Sequence, residues 1–123
     1  MRTTGLIYVA TAVLLWAGSA CAEGAPQGEA VFKRNCSVCH TVEAGKNRIG
    51  PSLFGVVGRV SGTAPGFKYS DAMTKAAWTW TDENLNKYLT DPKAAIPGNK
   101  MGFAGVKKDD DRTALISYLA TVK

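Results

Sequence analysis

Two cysteines and a histidine stand close together near the start of the chain, at Cys36, Cys39 and His40. Two thiols at this spacing can add across the two vinyl groups of a haem, and a histidine directly after the second thiol can reach the iron from one face. This Cys-x-x-Cys-His pattern is typical of c-type haem attachment. We therefore predict one haem c, bound covalently through Cys36 and Cys39, with His40 as an iron ligand.

Other uses of the cysteine pair fit the sequence less well. A disulfide across so short a loop would restrain few residues and would leave His40 without a role. A thioredoxin-like redox pair requires a βαβ pattern around it, and no such pattern is visible. A structural zinc site needs four ligands, whereas His40 is the only histidine of the chain.

The N-terminal segment predicts export. Residues 1–22 combine the positive Arg2, an apolar run at 6–16 and an A-x-A cleavage site that ends at Ala22, which together indicate a cleaved Sec-type signal peptide. The apolar run is shorter than the ~18 residues that a membrane-spanning helix needs. We expect a soluble periplasmic protein with one domain, residues 23–123, and no stable membrane anchor.

The face of the iron opposite His40 needs a second ligand. Because the chain has one histidine, bis-histidine ligation within a monomer is excluded. Met73 and Met101 remain once the signal peptide is removed. Met101 is the better candidate because it follows a turn-rich loop, whereas Met73 falls in a predicted helix, where methionine usually packs. A thioether ligand favours ferrous iron and raises the potential relative to a second imidazole.

Helices are predicted near both ends of the mature chain, with a glycine-rich tract between them. Residues 26–35 suit a short helix with basic residues at its end, and Gly28 leaves room for another helix to cross closely. The tract at 41–66 contains many glycines and two prolines. Loops of this kind bury too little apolar surface to offset their ordering entropy, so a haem is expected to supply the missing core.

Two helices in the second half are predicted from clear signals. Thr81 caps a helix that begins with acidic residues and ends before Pro92. The final helix begins at the acidic run 109–111, where negative charge meets the helix dipole. Its apolar stripe has helical spacing and consists of Leu115, Tyr118, Leu119 and Val122.

Six segments in a fixed order carry a resemblance to a known family. They are CSVCHTVE at 36–43, GPSLFGVVGR at 50–59, APGFKYSDA at 64–72, YLTDPK at 88–93, IPGNKM at 96–101 and FAG at 103–105. Over essentially the whole mature length, the chain resembles class I cytochromes c of the mitochondrial and cytochrome c2 type. The resemblance implies an all-α fold of short helices and long loops wrapped around one haem c, with the N- and C-terminal helices crossing.

The resemblance also implies roles for further residues. The carbonyl of Pro51 would accept a hydrogen bond from His40 and fix the orientation of its ring. Tyr88 would hydrogen-bond the sulfur of Met101. Three side chains would lie near the haem propionates, namely Arg59, Tyr69 and Trp80.

Three positions depart from the pattern of many relatives. Asn35 replaces a lysine before the first haem cysteine, Asn99 replaces a frequent threonine near a haem propionate, and Met73 replaces a frequent asparagine beside the haem. The first change weakens part of the expected docking surface. The other two change the polarity around the haem.

The implied function is electron transfer by a single haem, not enzyme catalysis. The carrier would shuttle one electron from a quinol–cytochrome c reductase (bc-type complex) or a dehydrogenase to a terminal cytochrome oxidase or a photosynthetic reaction centre. One alternative is a haem peroxidase or gas-binding sensor in which Met101 is labile. Another is a subunit that stays docked to a single dehydrogenase.

A ring of lysines is predicted to guide docking. The chain has a formal net charge of +5, and five lysines flank the segments expected at the haem edge: Lys33, Lys93, Lys100, Lys107 and Lys108. Such a ring would steer a monomer onto acidic surfaces of redox proteins and would weaken as salt screens it. Nucleic acid is not an expected partner, because export and the lack of a stacking platform argue against it.

Overall fold

The computed structural model describes residues 25–123, so the predicted signal peptide lies outside the described residues. Within this part of the chain there are five α-helices and no strand. An isolated antiparallel bridge joins Val60 to Thr79. The helices are α1 (Ala25–Asn35), α2 (Asp71–Ala76), α3 (Asp82–Thr90), α4 (Pro92–Ala95) and α5 (Asp109–Thr121). The predicted all-α fold is confirmed.

The short helices begin where side chains satisfy their free N–H groups. The hydroxyl of Thr81 accepts a hydrogen bond from the Asn84 N–H and caps α3, as predicted. Asp91 ends α3 and in turn caps α4, whose first residue is Pro92. These caps let α3 and α4 follow one another with Asp91 as the only residue between them. Within residues 25–123, no helix combines the length and apolar character needed to cross a membrane.

The two terminal helices cross at a glycine. A Cβ added to Gly28 would lie 2.6 Å from Tyr118 Cβ and would also press against the backbone of Ala114, so only glycine allows α1 to approach α5 this closely. The rings of Phe32 and Tyr118 pack beside the crossing, with centroids 5.8 Å apart. The crossing that the resemblance implied is present, and it buries the side chain of Leu115 completely.

The long tract between α1 and α2 folds without helices. Its backbone returns to the cysteine motif, because the Gly50 N–H donates to the Cys39 carbonyl at 2.8 Å and the Leu53 N–H donates to the Thr41 carbonyl at 2.9 Å. Further along the chain, the Gly58 N–H donates to Trp80 O at 2.9 Å. The tract therefore encloses a space rather than packing into a core of its own.

Arg112 is a buried polar centre that the sequence did not reveal. Its guanidinium is 6% exposed and donates to Asn86 Oδ1 at 2.9 Å and to the Val106 carbonyl at 2.8 Å. It also reaches the Lys107 carbonyl and the Asp109 carboxylate. One side chain thus joins α3, the loop after Met101 and the first turn of α5.

The crossing at Gly28 gives a test of the fold. In an isolated helix Gly→Ala is stabilising by about 1 kcal/mol, but here the added methyl group meets backbone. We expect Gly28→Ala to lower the free energy of unfolding of the holoprotein by about 2 kcal/mol in denaturant titrations. Gln27→Ala, on the exposed side of the same helix, serves as the control and should change stability little. A stabilised Gly28→Ala protein would contradict the close crossing.

Candidate haem site

An apolar cavity of about 410 Å³ lies between the helix-free tract, α2, α3 and the loop after α4. Its volume falls in the range of roughly 300–1,000 Å³ that is typical of cofactor sites. All nine residues proposed to bind the cofactor line this one space: Cys36, Cys39, His40, Pro51, Arg59, Tyr69, Trp80, Tyr88 and Met101. The fold therefore gathers residues that are separated by up to 65 positions in the sequence.

The cysteines enter the cavity from the end of α1. The Cys36 N–H donates to the Phe32 carbonyl at 2.8 Å, and the His40 N–H donates to the Cys36 carbonyl at 2.9 Å, so the motif continues the helix as a tight turn. Both cysteines have free thiols. Burial, with a smaller contribution from Cys39, raises the pKa of the Cys36 thiol to about 11. The turn thus presents both thiols to the cavity, and that of Cys36 is protonated at neutral pH.

The imidazole of His40 is held by backbone on its far side. Its Nδ1 lies 2.7 Å from the Pro51 carbonyl and donates to it, which leaves Nε2 available to bind a metal. Burial lowers the pKa of His40, although the hydrogen bond to Pro51 opposes this shift. A Cβ on Gly50 would collide with the ring, so glycine is required there. The ring is consequently neutral and fixed in orientation, as a haem ligand must be.

Met101 lines the cavity from the loop after α4. The Tyr88 hydroxyl donates to Met101 Sδ at 4.0 Å. Burial raises the pKa of Tyr88 to about 12, so the hydroxyl remains a donor at neutral pH. Met73 also lines the cavity, from α2. Of these two thioethers, Met101 is the one whose sulfur is oriented by a hydrogen bond, which favours it as the second ligand.

Arg59 supplies the observation that tests whether a haem fits. Its two terminal nitrogens donate to the Phe54 and Ser52 carbonyls, both at 3.1 Å. Its Nε is buried and has no hydrogen-bond partner within residues 25–123. An unpaired buried donor is costly unless an acceptor reaches it, and a carboxylate such as a haem propionate would satisfy it. The cavity residues therefore fit the cofactor predicted from the cysteine motif.

The other two predicted propionate neighbours are firmly placed. The Tyr69 hydroxyl accepts a hydrogen bond from the Ala64 N–H at 3.0 Å. Trp80 is 7% exposed and packs against Tyr88, with ring centroids 5.0 Å apart. Contacts within the protein thus hold both side chains in place without any contact to a cofactor.

Most of the remaining lining is apolar and was not singled out as part of the site from the sequence. It includes Ile49, Leu53, Val56, Phe67, Leu85, Leu89, Phe103 and Leu119. Several of these residues fall inside the six family segments, which was the signal available in the sequence. An apolar lining of this kind excludes water from the bound group.

The predicted docking lysines are all exposed, but they are not equivalent. Lys100 lines the mouth of the cavity. Lys93 and Lys107 line a neighbouring surface depression of about 470 Å³, and Lys108 lies directly before α5. Lys33 instead forms an ion pair with Glu29 at 2.8 Å, and this contact raises the pKa of Lys33. The local charge at Lys33 is therefore partly compensated.

Comparison with known proteins agrees with this site. A family model for cytochrome c matches residues 25–123. The chain belongs to the cytochrome c family. It is 59% identical over 88 residues to cytochrome c2 iso-2 of Magnetospirillum molischianum, which covers 72% of this chain and 91% of that protein. It is 47% identical over 117 residues to cytochrome c2 of Rhodomicrobium vannielii, covering 94% and 93% of the two chains.

A solved structure shows the same architecture. Cytochrome cH from Methylobacterium extorquens superposes with a TM-score of 0.74 at 41% sequence identity, covering 79% of this chain and 97% of that one. The fold is that of a class I cytochrome c. Proteins of this family bind one haem c covalently through cysteines, and Cys36 and Cys39 stand here in the corresponding Cys-x-x-Cys-His motif. The relatives are electron carriers rather than enzymes, and this cytochrome c is a single-haem electron carrier.

The assignment of Met101 can be tested by removing each cavity methionine. We expect Met101→Ala to keep its covalent haem but to lose the weak near-infrared band that marks thioether ligation of ferric haem. The open position should then bind cyanide rapidly. Met73→Leu is the matched control and should keep both the band and slow cyanide binding. A band that survives in Met101→Ala but disappears in Met73→Leu would assign the ligand to Met73.

Proposed function

We propose that this cytochrome c is a periplasmic carrier that passes one electron at a time between respiratory or photosynthetic redox proteins. The donor would be a quinol–cytochrome c reductase or a dehydrogenase, and the acceptor a terminal oxidase or a reaction centre. The observation that carries the proposal is the cavity itself. It is apolar, and its lining includes an oriented imidazole and an oriented thioether.

The side chains suit rapid, repeated electron exchange. Haem supplies a one-electron couple between ferrous and ferric iron. His40 is fixed by Pro51, and Met101 is fixed by Tyr88, so neither proposed ligand needs to move when the charge of the site changes. The apolar lining excludes water, so little solvent has to rearrange when the charge of the site changes. A site that is already organised for both states requires little reorganisation.

The uncompensated lysines support docking onto acidic partners. Lys93, Lys100 and Lys107 lie at or beside the mouth of the cavity and form no ion pair within residues 25–123. Positive charge around the point of electron exit would raise the rate of encounter with acidic surfaces. We assign Lys33 a smaller share, because Glu29 neutralises much of its local field.

Charge reversal at single lysines tests the docking surface. We expect Lys93→Glu and Lys100→Glu each to slow electron exchange with an isolated bc-type complex or terminal oxidase about tenfold at low salt. The salt dependence of the rate should also become flatter. Lys75→Glu makes the same charge change on α2, outside the cavity lining, and is the control. All three proteins should react equally with an uncharged small reductant. If Lys75→Glu slowed the reaction equally, the effect would come from net charge alone and the proposed docking surface would be wrong.

Export can be tested directly on the protein made by cells. The signal-peptide proposal rests on Arg2, the apolar run at 6–16 and the cleavage motif ending at Ala22. We expect the haem-containing protein to be released with the periplasmic fraction and to begin at Glu23, as measured by intact mass and N-terminal sequencing. A protein that retains residues 1–22 in the membrane fraction would overturn the proposed cleavage.

A further inference from the structure

The side chain of Asn99 makes three hydrogen bonds around the Met101 loop. Its Nδ2 donates to the Pro92 carbonyl and to the Ile96 carbonyl, both at 2.8 Å. Its Oδ1 accepts from the Met101 N–H at 2.9 Å. The amide therefore uses both donors and its acceptor within a single loop, which indicates a position fixed by this geometry rather than a solvated surface side chain.

The two carbonyls that receive the Asn99 donors belong to a buried anchor. Pro92 is fully buried at the start of α4, and Ile96, which follows the helix, is 4% exposed. The Pro92 carbonyl also accepts the Ile96 N–H at 3.0 Å, and the Ile96 carbonyl accepts the Asn99 N–H at 3.2 Å, so the amide adds a second hydrogen bond to each. The amide consequently ties the loop to a part of the fold that cannot shift without exposing apolar surface.

The Met101 backbone depends on this amide. Within residues 25–123, Asn99 is the one acceptor for the Met101 N–H. The loop has no regular structure from Met101 to Lys108, and its next backbone hydrogen bond to another element runs from the Val106 N–H to the Leu89 carbonyl at 2.7 Å. Without Asn99, the Met101 N–H would have no acceptor in the described part of the chain, and Met101 would keep the hydrogen bond from Tyr88 to its sulfur but no backbone hydrogen bond to another element before Val106.

We propose that Asn99 is the positioning residue for Met101 and that its amide slows the replacement of the Met101 thioether by external ligands. The proposal rests on the proposed role of Met101 as an iron ligand. A threonine hydroxyl at this position could not reproduce the full set of one acceptor and two donors. Asn99 lines the cavity, and its side chain hydrogen-bonds the backbone that presents Met101.

Three substitutions separate the parts of this role. Asn99→Ala removes all three hydrogen bonds. Asn99→Asp keeps the acceptor for Met101 but places a carboxylate against two carbonyls. Asn99→Thr offers a single hydroxyl, which can accept from the Met101 N–H but has one donor for the two carbonyls. Cyanide binding to the ferric holoprotein, followed by stopped-flow spectroscopy, reports how readily the sulfur leaves the iron. We expect roughly tenfold faster binding in Asn99→Ala and Asn99→Asp, since a lost hydrogen bond of about 1.4 kcal/mol corresponds to tenfold. Asn99→Thr should be intermediate.

Asn47 provides a matched control within the same chain. Its Nδ2 donates to the Pro65 carbonyl at 3.0 Å, and its Oδ1 accepts from the Ser52 N–H at 2.9 Å, so it braces a loop in the same manner. It does not line the cavity. Asn47→Ala should lower stability in denaturant while leaving cyanide binding at the wild-type rate. Equal acceleration by Asn47→Ala and Asn99→Ala would overturn the proposal, because loosening of any loop would then suffice.

The outcomes distinguish this proposal from the assignment of Met101. If the near-infrared band persists in Met101→Ala, the ligand assignment fails. If that band is lost in Met101→Ala but Asn99→Ala binds cyanide at the wild-type rate, the ligand assignment stands and the role of Asn99 fails. Should Asn99→Ala not incorporate haem, the milder Asn99→Thr protein decides the matter by the same measurement.

Discussion

The structure depends on one constraint, which is that a small chain encloses an apolar space of about 410 Å³. Small domains bury a low fraction of their surface and have little stability in reserve. Here much of the apolar surface of the helix-free tract faces the cavity instead of a protein core. The tract can therefore hold its shape only when a large apolar group completes the packing. Covalent attachment at Cys36 and Cys39 makes that group a permanent part of the core.

Hydrogen bonds to backbone carbonyls and amides orient the two proposed iron ligands at this site. The Pro51 carbonyl fixes His40, and a glycine at position 50 allows the chain to pass against the ring. At the second proposed ligand, the Met101 N–H donates to Asn99 Oδ1. His40 is thus held by the backbone that passes beside its ring, and Met101 is held through its own backbone. Local backbone geometry thus controls the site more directly than distant packing does.

Features coded by local spacing could be predicted from the sequence. The Cys36 motif, the Thr81 cap and the small residue at Gly28 each depend on neighbours within a few positions or on a single missing side chain, and the structure contains all three arrangements. Arg112 could not be predicted, because its partners come from three elements and an arginine in an amphipathic helix is usually exposed. Lys33 and Glu29 have the ordinary i, i+4 spacing of a helical ion pair. The net charge of the chain does not show this pairing, because it counts charges without their positions.

The distribution of ion pairs refines what the net charge implies. Of the basic residues near the first helix, Lys33 pairs with Glu29, and Arg34 lies 3.6 Å from Asp111 on α5. These pairs join neighbouring turns or neighbouring helices and reduce the positive field on that side of the molecule. The lysines beside the Met101 loop have no such partners within the described chain. Lys100 lines the cavity, and Lys93 and Lys107 line the depression beside it, so charge steering by these lysines would bring an acidic partner toward the haem site.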